Sequence, residues 1–280
     1  MKIRIITDSA SDLSNGFRSD ITVIPLKVLF GGKEYLDGAT LSHQEFYNRL
    51  IESDELPTTS QVSPYEFETE YIRAKREGEQ VIVICLSSKL SGTYQSAVIA
   101  AAGYEDMVHI VDSESVAVGE RILVEYALRL VDQGLGVSEM VEKLERAKKK
   151  ICLIALLDTL EYLVRGGRLS RTAGVLGGVL SLKPVITISE GEVMVLCKAR
   201  GSKNGNNLLT EKINQSGGVD FSMPIALGYT GLNDELLKKY VSDSEYLWKD
   251  AVDGLNIGSI GCSIGTHAGP GAIAVAYFSK

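Results

Sequence analysis

Sulfur and imidazole ligands are scarce in this chain and never clustered. Its four cysteines, Cys85, Cys152, Cys197 and Cys262, lie far apart and form no Cys-x-x-Cys pair. Each stands in an apolar run, as a small buried hydrophobe does. Free thiols in a reducing cytosol are therefore expected, not a disulfide framework. The three histidines, His43, His109 and His267, are equally scattered, and no zinc spacing occurs. The Gly-x4-Gly-Lys-Ser/Thr phosphate loop is missing, and no nucleophile-elbow serine is expected. Gly269-Pro-Gly-Ala-Ile-Ala274 resembles a truncated dinucleotide fingerprint, but it precedes an apolar run where the fingerprint must follow one. Neither metal nor nucleotide is expected as a cofactor.

Positive charge is also in deficit. Lys+Arg 29 against Asp+Glu 36 gives a net charge of −7. Such a surface repels polyanions at long range, so nucleic acid is not an expected partner. The opening Met1–Ala10 turns polar too soon for a signal peptide. One stretch, Gly254 to Ser279, contains no Asp, Glu, Lys or Arg. It carries six glycines together with Asn256, His267 and Pro270, and such polar groups are costly in lipid. It is read as strand, Gly-rich loop, strand. The expectation is a cytoplasmic protein with no stable membrane insertion.

What remains is an ordinary globular composition, 45% hydrophobic and 23% charged, over 280 residues. At roughly 150 residues per domain that length suggests two. Lys2–Thr7, Ile21–Phe30, Gln80–Leu86 and Met107–Val111 have the Ile/Val-rich character of strands. Between them, Ser42 with Glu45 and Ser63 with Glu66 make capping boxes, the second with Pro64 at the first helical position. A long helical region spans about Ser115 to Lys150, broken near Gly134 and Gly136, with Ser138 as the next cap. Strands at Ile151–Leu157, Pro184–Ile188, Val193–Cys197, Pro224–Tyr229, Ile257–Cys262 and Ala272–Phe278 follow, with a helix around Glu235–Val241. The expected fold is α/β in two domains. Residues 1–150 form a largely parallel sheet with helices on both faces, and residues 151–280 an α/β or α+β domain.

Three polar segments lie where chemistry gathers in such folds. They are Thr58–Ser63, Ser87–Ser96 just beyond a strand, and Gly265–Gly271. Ligands collect at the carboxyl ends of parallel strands, and a helix N-terminus favours an anion. Ser91 and Gly92 would open such a helix, with hydroxyls from Ser91, Thr93 and Thr59 as donors. Ser and Thr at helix starts ordinarily cap the helix, so a single segment would say little. Two of them with a histidine in a glycine loop point to a carboxylate or phosphate. Asp8-Ser9 and Asp112-Ser113 are expected to close turns. Arg165 and Arg168 flank Gly166-Gly167 at the end of a short helix.

Taken together, several segments resemble the DegV family of fatty-acid-binding proteins, which includes the acyl carriers of bacterial fatty-acid kinase. They are Thr7-Asp-Ser-Ala-Ser-Asp-Leu13, Thr59-Ser-Gln61, Leu90-Ser-Gly-Thr-Tyr-Gln-Ser96, Leu163-Val-Arg-Gly-Gly-Arg-Leu-Ser170 and His267-Ala-Gly-Pro-Gly-Ala272. The resemblance runs along essentially the whole chain in the same order. It implies a long-chain fatty acid, such as palmitate, in a buried tunnel, its carboxylate near an interdomain cleft and presented to a partner kinase. Thr59 and Ser91 match the family's carboxylate-binding hydroxyls, and His267 and Arg168 match positions at or near that head-group network. Val62 departs from the family's usual proline after Thr-Ser-Gln, which removes one fixed φ. The resemblance implies a carrier without chemistry of its own. The rival reading is a hydrolase or acyltransferase with Ser91 as nucleophile and His267 as base, and a further one is a module for another small anion.

Overall fold

The structure, a computed structural model, describes residues 2–172, 182–251 and 254–280. The first half contains β1 (Lys2–Asp8), β2 (Ile21–Ile24), β3 (Lys27–Phe30), β4 (Lys33–Leu36), α1 (His43–Glu52) and β5 (Thr58–Ser60). It continues through α2 (Pro64–Glu77), β6 (Glu79–Cys85), α3 (Thr93–Ala100), β7 (Val108–Asp112), α4 (Val118–Asp132) and α5 (Val137–Ala147). After residue 150 come β8 (Ile151–Leu156), α6 (Glu161–Arg165), β9 (Leu182–Ser189), β10 (Glu192–Arg200) and α7 (Gly201–Gln215). The chain closes with β11 (Ala226–Tyr229), α8 (Glu235–Asp243), α9 (Glu245–Trp248), β12 (Asn256–Ser259), α10 (Cys262–Ala268) and β13 (Ile273–Phe278).

The apolar runs of the first half build one sheet, order β2-β1-β6-β7, parallel throughout. Both of its faces are covered, which is why its strands need no polar alternation. Ile3, Ile5, Ile82 and Ile84 pack under α4 and α5, while Ile6, Val81, Val83 and Cys85 pack under α2 and α3. The second sheet has order β10-β9-β8-β13-β11-β12 and is mixed, parallel only between β11 and β12. Here too alternate residues of β8 serve opposite faces: Leu153 and Ala155 meet α4, whereas Ile154 and Leu156 meet α7 and α8. Helix α4 therefore lies between the two sheets, with Leu123 and Val124 toward the first and Val118 and Ile122 toward the second. A small antiparallel sheet, β4-β3-β5, stands apart from both.

Several local expectations change. The run Ile21–Phe30 is two strands, because Pro25 has no N–H to continue the ladder. Ser63 and Glu66 form the full capping box; Ser42 accepts from the Glu45 N–H, but Glu45 turns its carboxylate to Arg49. Gly136, not Ser138, caps α5. The stretch expected as a Gly-rich loop is mostly helix: α10 begins at Cys262, so His267 rides a helix and not a loop. Helix α7 was not foreseen, since Gly201, Asn204, Gly205, Asn206 and Asn207 are poor helix formers. Packing overrides propensity there, for a Cβ on Gly205 would lie 2.5 Å from Leu156 Cδ1. All four cysteines are free.

Candidate functional site

The small sheet sets the first candidate residue. Thr59 pairs with Val28 across β5 and β3, and its hydroxyl lies 2.9 Å from Nε2 of His267. These residues are 208 positions apart in sequence. His267 reaches this point from the last turn of α10, whose first turn is held from the other half of the chain. Asp12 accepts from the Gly261 N–H at 2.7 Å, and Asp37 accepts from the N–H groups of Cys262 and Ser263, both at 2.9 Å. Carboxylates are favourable at that end of a helix, where N–H groups are otherwise unpaired.

Ser91 precedes α3. Its Oγ pairs with Thr93 Oγ1 at 2.9 Å and accepts from the Thr93 N–H. Arg168 reaches the same loop from beyond α6, donating from Nε to the Leu90 carbonyl at 3.1 Å and from Nη1 to the Gly166 carbonyl. Arg165, its neighbour across the twin glycines, points elsewhere and pairs with Glu161 at the surface.

Thr59, Ser91, Arg168 and His267 line one cavity of about 110 Å³. The rest of its wall is largely apolar: Leu153, Ile186 and Ile188 come from the second sheet, Ile264 from α10, and Leu86 and Leu90 from the loop that follows β6. Burial, with a smaller contribution from the charge of Arg168, pulls the His267 pKa down to about 4. The imidazole is thus neutral at physiological pH, and burial also lowers the pKa of Arg168.

The geometry bears on the rival chemistry. Ser91 bonds to Thr93 and His267 to Thr59, and Nδ1 of His267 has no hydrogen-bond partner among the described residues. A serine nucleophile needs a base that a third group orients, and no carboxylate among the described residues does so. Gly261-Cys262-Ser263-Ile264-Gly265 does have Gly-x-Ser-x-Gly spacing, starting just after β12 and running into the first turn of α10. Ser263, however, is absent from the positive-φ residues and 2% exposed, whereas an elbow serine is strained and presented outward. Ser263 does line the cavity, and its hydroxyl has no partner among the described residues. Asp8 and Asp112 close turns as expected, Asp8 accepting from Ala10 and Leu86, Asp112 from Ser88 and Glu114.

Sequence reasoning missed Asp37 and Ser263. Asp37 meets α10 from 225 residues away, and no local pattern announces that pairing. Among the described residues no group of three or more His, Cys, Asp or Glu could hold a metal ion, and no helix is long and apolar enough to cross a membrane.

Comparison with known proteins extends over the whole chain. A family model described as "Uncharacterised protein, DegV family" matches residues 2–280. A DegV domain-containing protein of Caldanaerobacter subterraneus subsp. tengcongensis is 36% identical, covering 100% of this chain and 99% of its own. Among solved structures, a fatty-acid-binding DegV family protein from Thermus thermophilus has a TM-score of 0.90 at 31% identity, covering 100% of both chains. A Thermotoga maritima protein described as revealing fatty acid binding function has a TM-score of 0.86 at 28% identity, again covering 100% of both. The fatty acid kinase (Fak) B3 protein of Streptococcus pneumoniae, loaded with linoleic acid, shares the fold at a TM-score of 0.88 and 24% identity, with 100% of both chains covered. A match from residue 2 to residue 280, with relatives above 30% identity along the full length, leaves one assignment: the chain belongs to the DegV family.

Proposed function

We propose that this protein binds a long-chain fatty acid, such as palmitate, with the tail in the apolar cavity and the carboxylate among Thr59, Ser91, Arg168 and His267. The observation that carries this reading is the convergence of those four side chains, from four separate segments, at one otherwise largely apolar cavity. Solved relatives above 25% identity that bind fatty acids support it. The energetics fit the division of labour. Burying a chain gains about 0.8 kcal/mol per methylene, so a long tail gains on the order of 10 kcal/mol before ordering costs. A hydrogen bond to the charged head adds about 1.5–3 kcal/mol. The tail supplies affinity and the polar groups fix its direction.

In this reading the protein does no chemistry itself. It serves lipid transport or fatty-acid metabolism in the cytoplasm by presenting the carboxylate to a separate kinase. Residues 1–150 and 151–280 act as two domains, and the cavity draws on both. Organic extraction of the purified protein followed by mass spectrometry tests the proposal. A fatty acid in near-stoichiometric amount is expected; an empty extract together with turnover of activated esters would favour the Ser91/His267 enzyme instead.

A further inference from the structure

Glycine usually marks a backbone that other residues avoid, but Gly166 does not. It closes α6 at φ −73° and ψ −8°, in right-handed helical space that alanine adopts freely. The obstacle to a side chain is mainly His267. A Cβ built on Gly166 would lie 2.2 Å from Nδ1 and 2.8 Å from Cε1 of the imidazole, with the Tyr162 carbonyl at 3.0 Å. One edge of the ring is therefore pressed against a bare Cα, while Nε2, on the far side, stands 2.9 Å from Thr59 Oγ1.

A neutral imidazole carries a single N–H, on one nitrogen or the other. Were it on Nδ1, a buried donor would face a carbon with no acceptor among the described residues, and orphaned buried N–H groups are rare because they are costly. A lone pair facing that carbon is the cheaper arrangement. With the proton on Nε2, the ring donates to Thr59 Oγ1, and the hydroxyl hydrogen of Thr59 is left to point elsewhere.

We propose that Gly166 is a positioning residue: its bare Cα admits the His267 ring edge and holds the Nε2–H tautomer, so that Thr59 accepts from His267 and aims its own O–H into the cavity. The consequence for the ligand rests on the fatty-acid reading. An ionised carboxylate only accepts, so Thr59 is useful to it as a donor. In the opposite tautomer Thr59 would donate its hydrogen to Nε2 and present only lone pairs, which repel a carboxylate.

The test uses the full-length protein labelled with 15N in its histidine rings. The chain has three histidines, and the signals of His267 are those lost in His267→Gln. Nitrogen–proton correlation spectra between about pH 6 and 8, above the His267 pKa, are expected to show Nε2 protonated and Nδ1 bare. An Nδ1–H ring, or the rapid mixture typical of free histidine, overturns the proposal. Fluorescence titration with palmitate supplies a second arm. Gly166→Ala is expected to weaken binding about tenfold in the wild-type background. The same substitution should cost nothing further in a His267→Ala background, where the added methyl has room. Equal weakening in both backgrounds overturns the proposal. Should the wild type bind no fatty acid, the functional reading falls, while the tautomer spectra still decide the role of Gly166.

Discussion

At the scale of the residue, the site was legible where a side chain's role is local. Thr59 and Ser91 stood out by their place at strand ends and helix starts, Arg168 by its place at a helix end, His267 by the glycines around it, and all four by family resemblance; all four line one cavity. If Ser91 donates to a carboxylate, Ser91→Ala should weaken fatty-acid binding by about 1–3 kcal/mol with little change in melting temperature. Parallel losses of binding and melting temperature would mark it as a helix cap alone. Elsewhere, the buried pair of Arg4 and Glu79 is joined by hydrogen bonds of 2.6 and 2.9 Å. Its hydrogen bonds with Arg4 hold Glu79 down at about 2, from an ordinary 4.5. A depressed acid stabilises the fold above its unfolded pKa, and that share is lost as pH falls through about 2. Melting temperature should therefore fall over that acid range, and Glu79→Gln should flatten this part of the slope while lowering stability at neutral pH.

At the scale of the element, strands of Ile and Val and the Ser63 capping box could be read from local pattern. Helices α7 and α10 could not. Gly205 and Gly265 look like breakers, yet each lets a helix approach its neighbour: a Cβ would meet Leu156 in one case and Tyr47 in the other, both at 2.5 Å. Glycine's freedom and its smallness leave the same letter in the sequence, and only tertiary packing separates them. Helix α10 is also too short to stand alone, and Asp37 takes two of its first N–H groups. Asp37→Ala would strand those donors, and about 1–3 kcal/mol of stability should be lost. Because α10 carries His267, palmitate affinity should fall with it. Asp37→Asn, which keeps one acceptor, should lie between wild type and alanine in both calorimetric melting and binding. An unchanged affinity in a destabilised Asp37→Ala protein would separate α10 from the head-group site.

At the scale of the molecule, the α/β class and the parallel first sheet followed from alternating strands and helices. The interleaving of α4 between two sheets did not. Its burial on both flanks shows as an apolar helix, but the sequence does not say which sheet each flank meets. The cavity was likewise hidden, since Leu153, Ile186 and Ile264 are ordinary core letters until the two sheets are brought together. If the polar groups of the cavity serve a carboxylate, the charge of the ligand's head must matter to binding. The most direct measurement compares palmitic acid with hexadecanol, which has the same chain length and a neutral head, by competitive fluorescence titration at neutral pH. The acid is expected to bind more tightly by about tenfold or more, the worth of one or two charge-assisted hydrogen bonds. Equal affinity for acid and alcohol would contradict it.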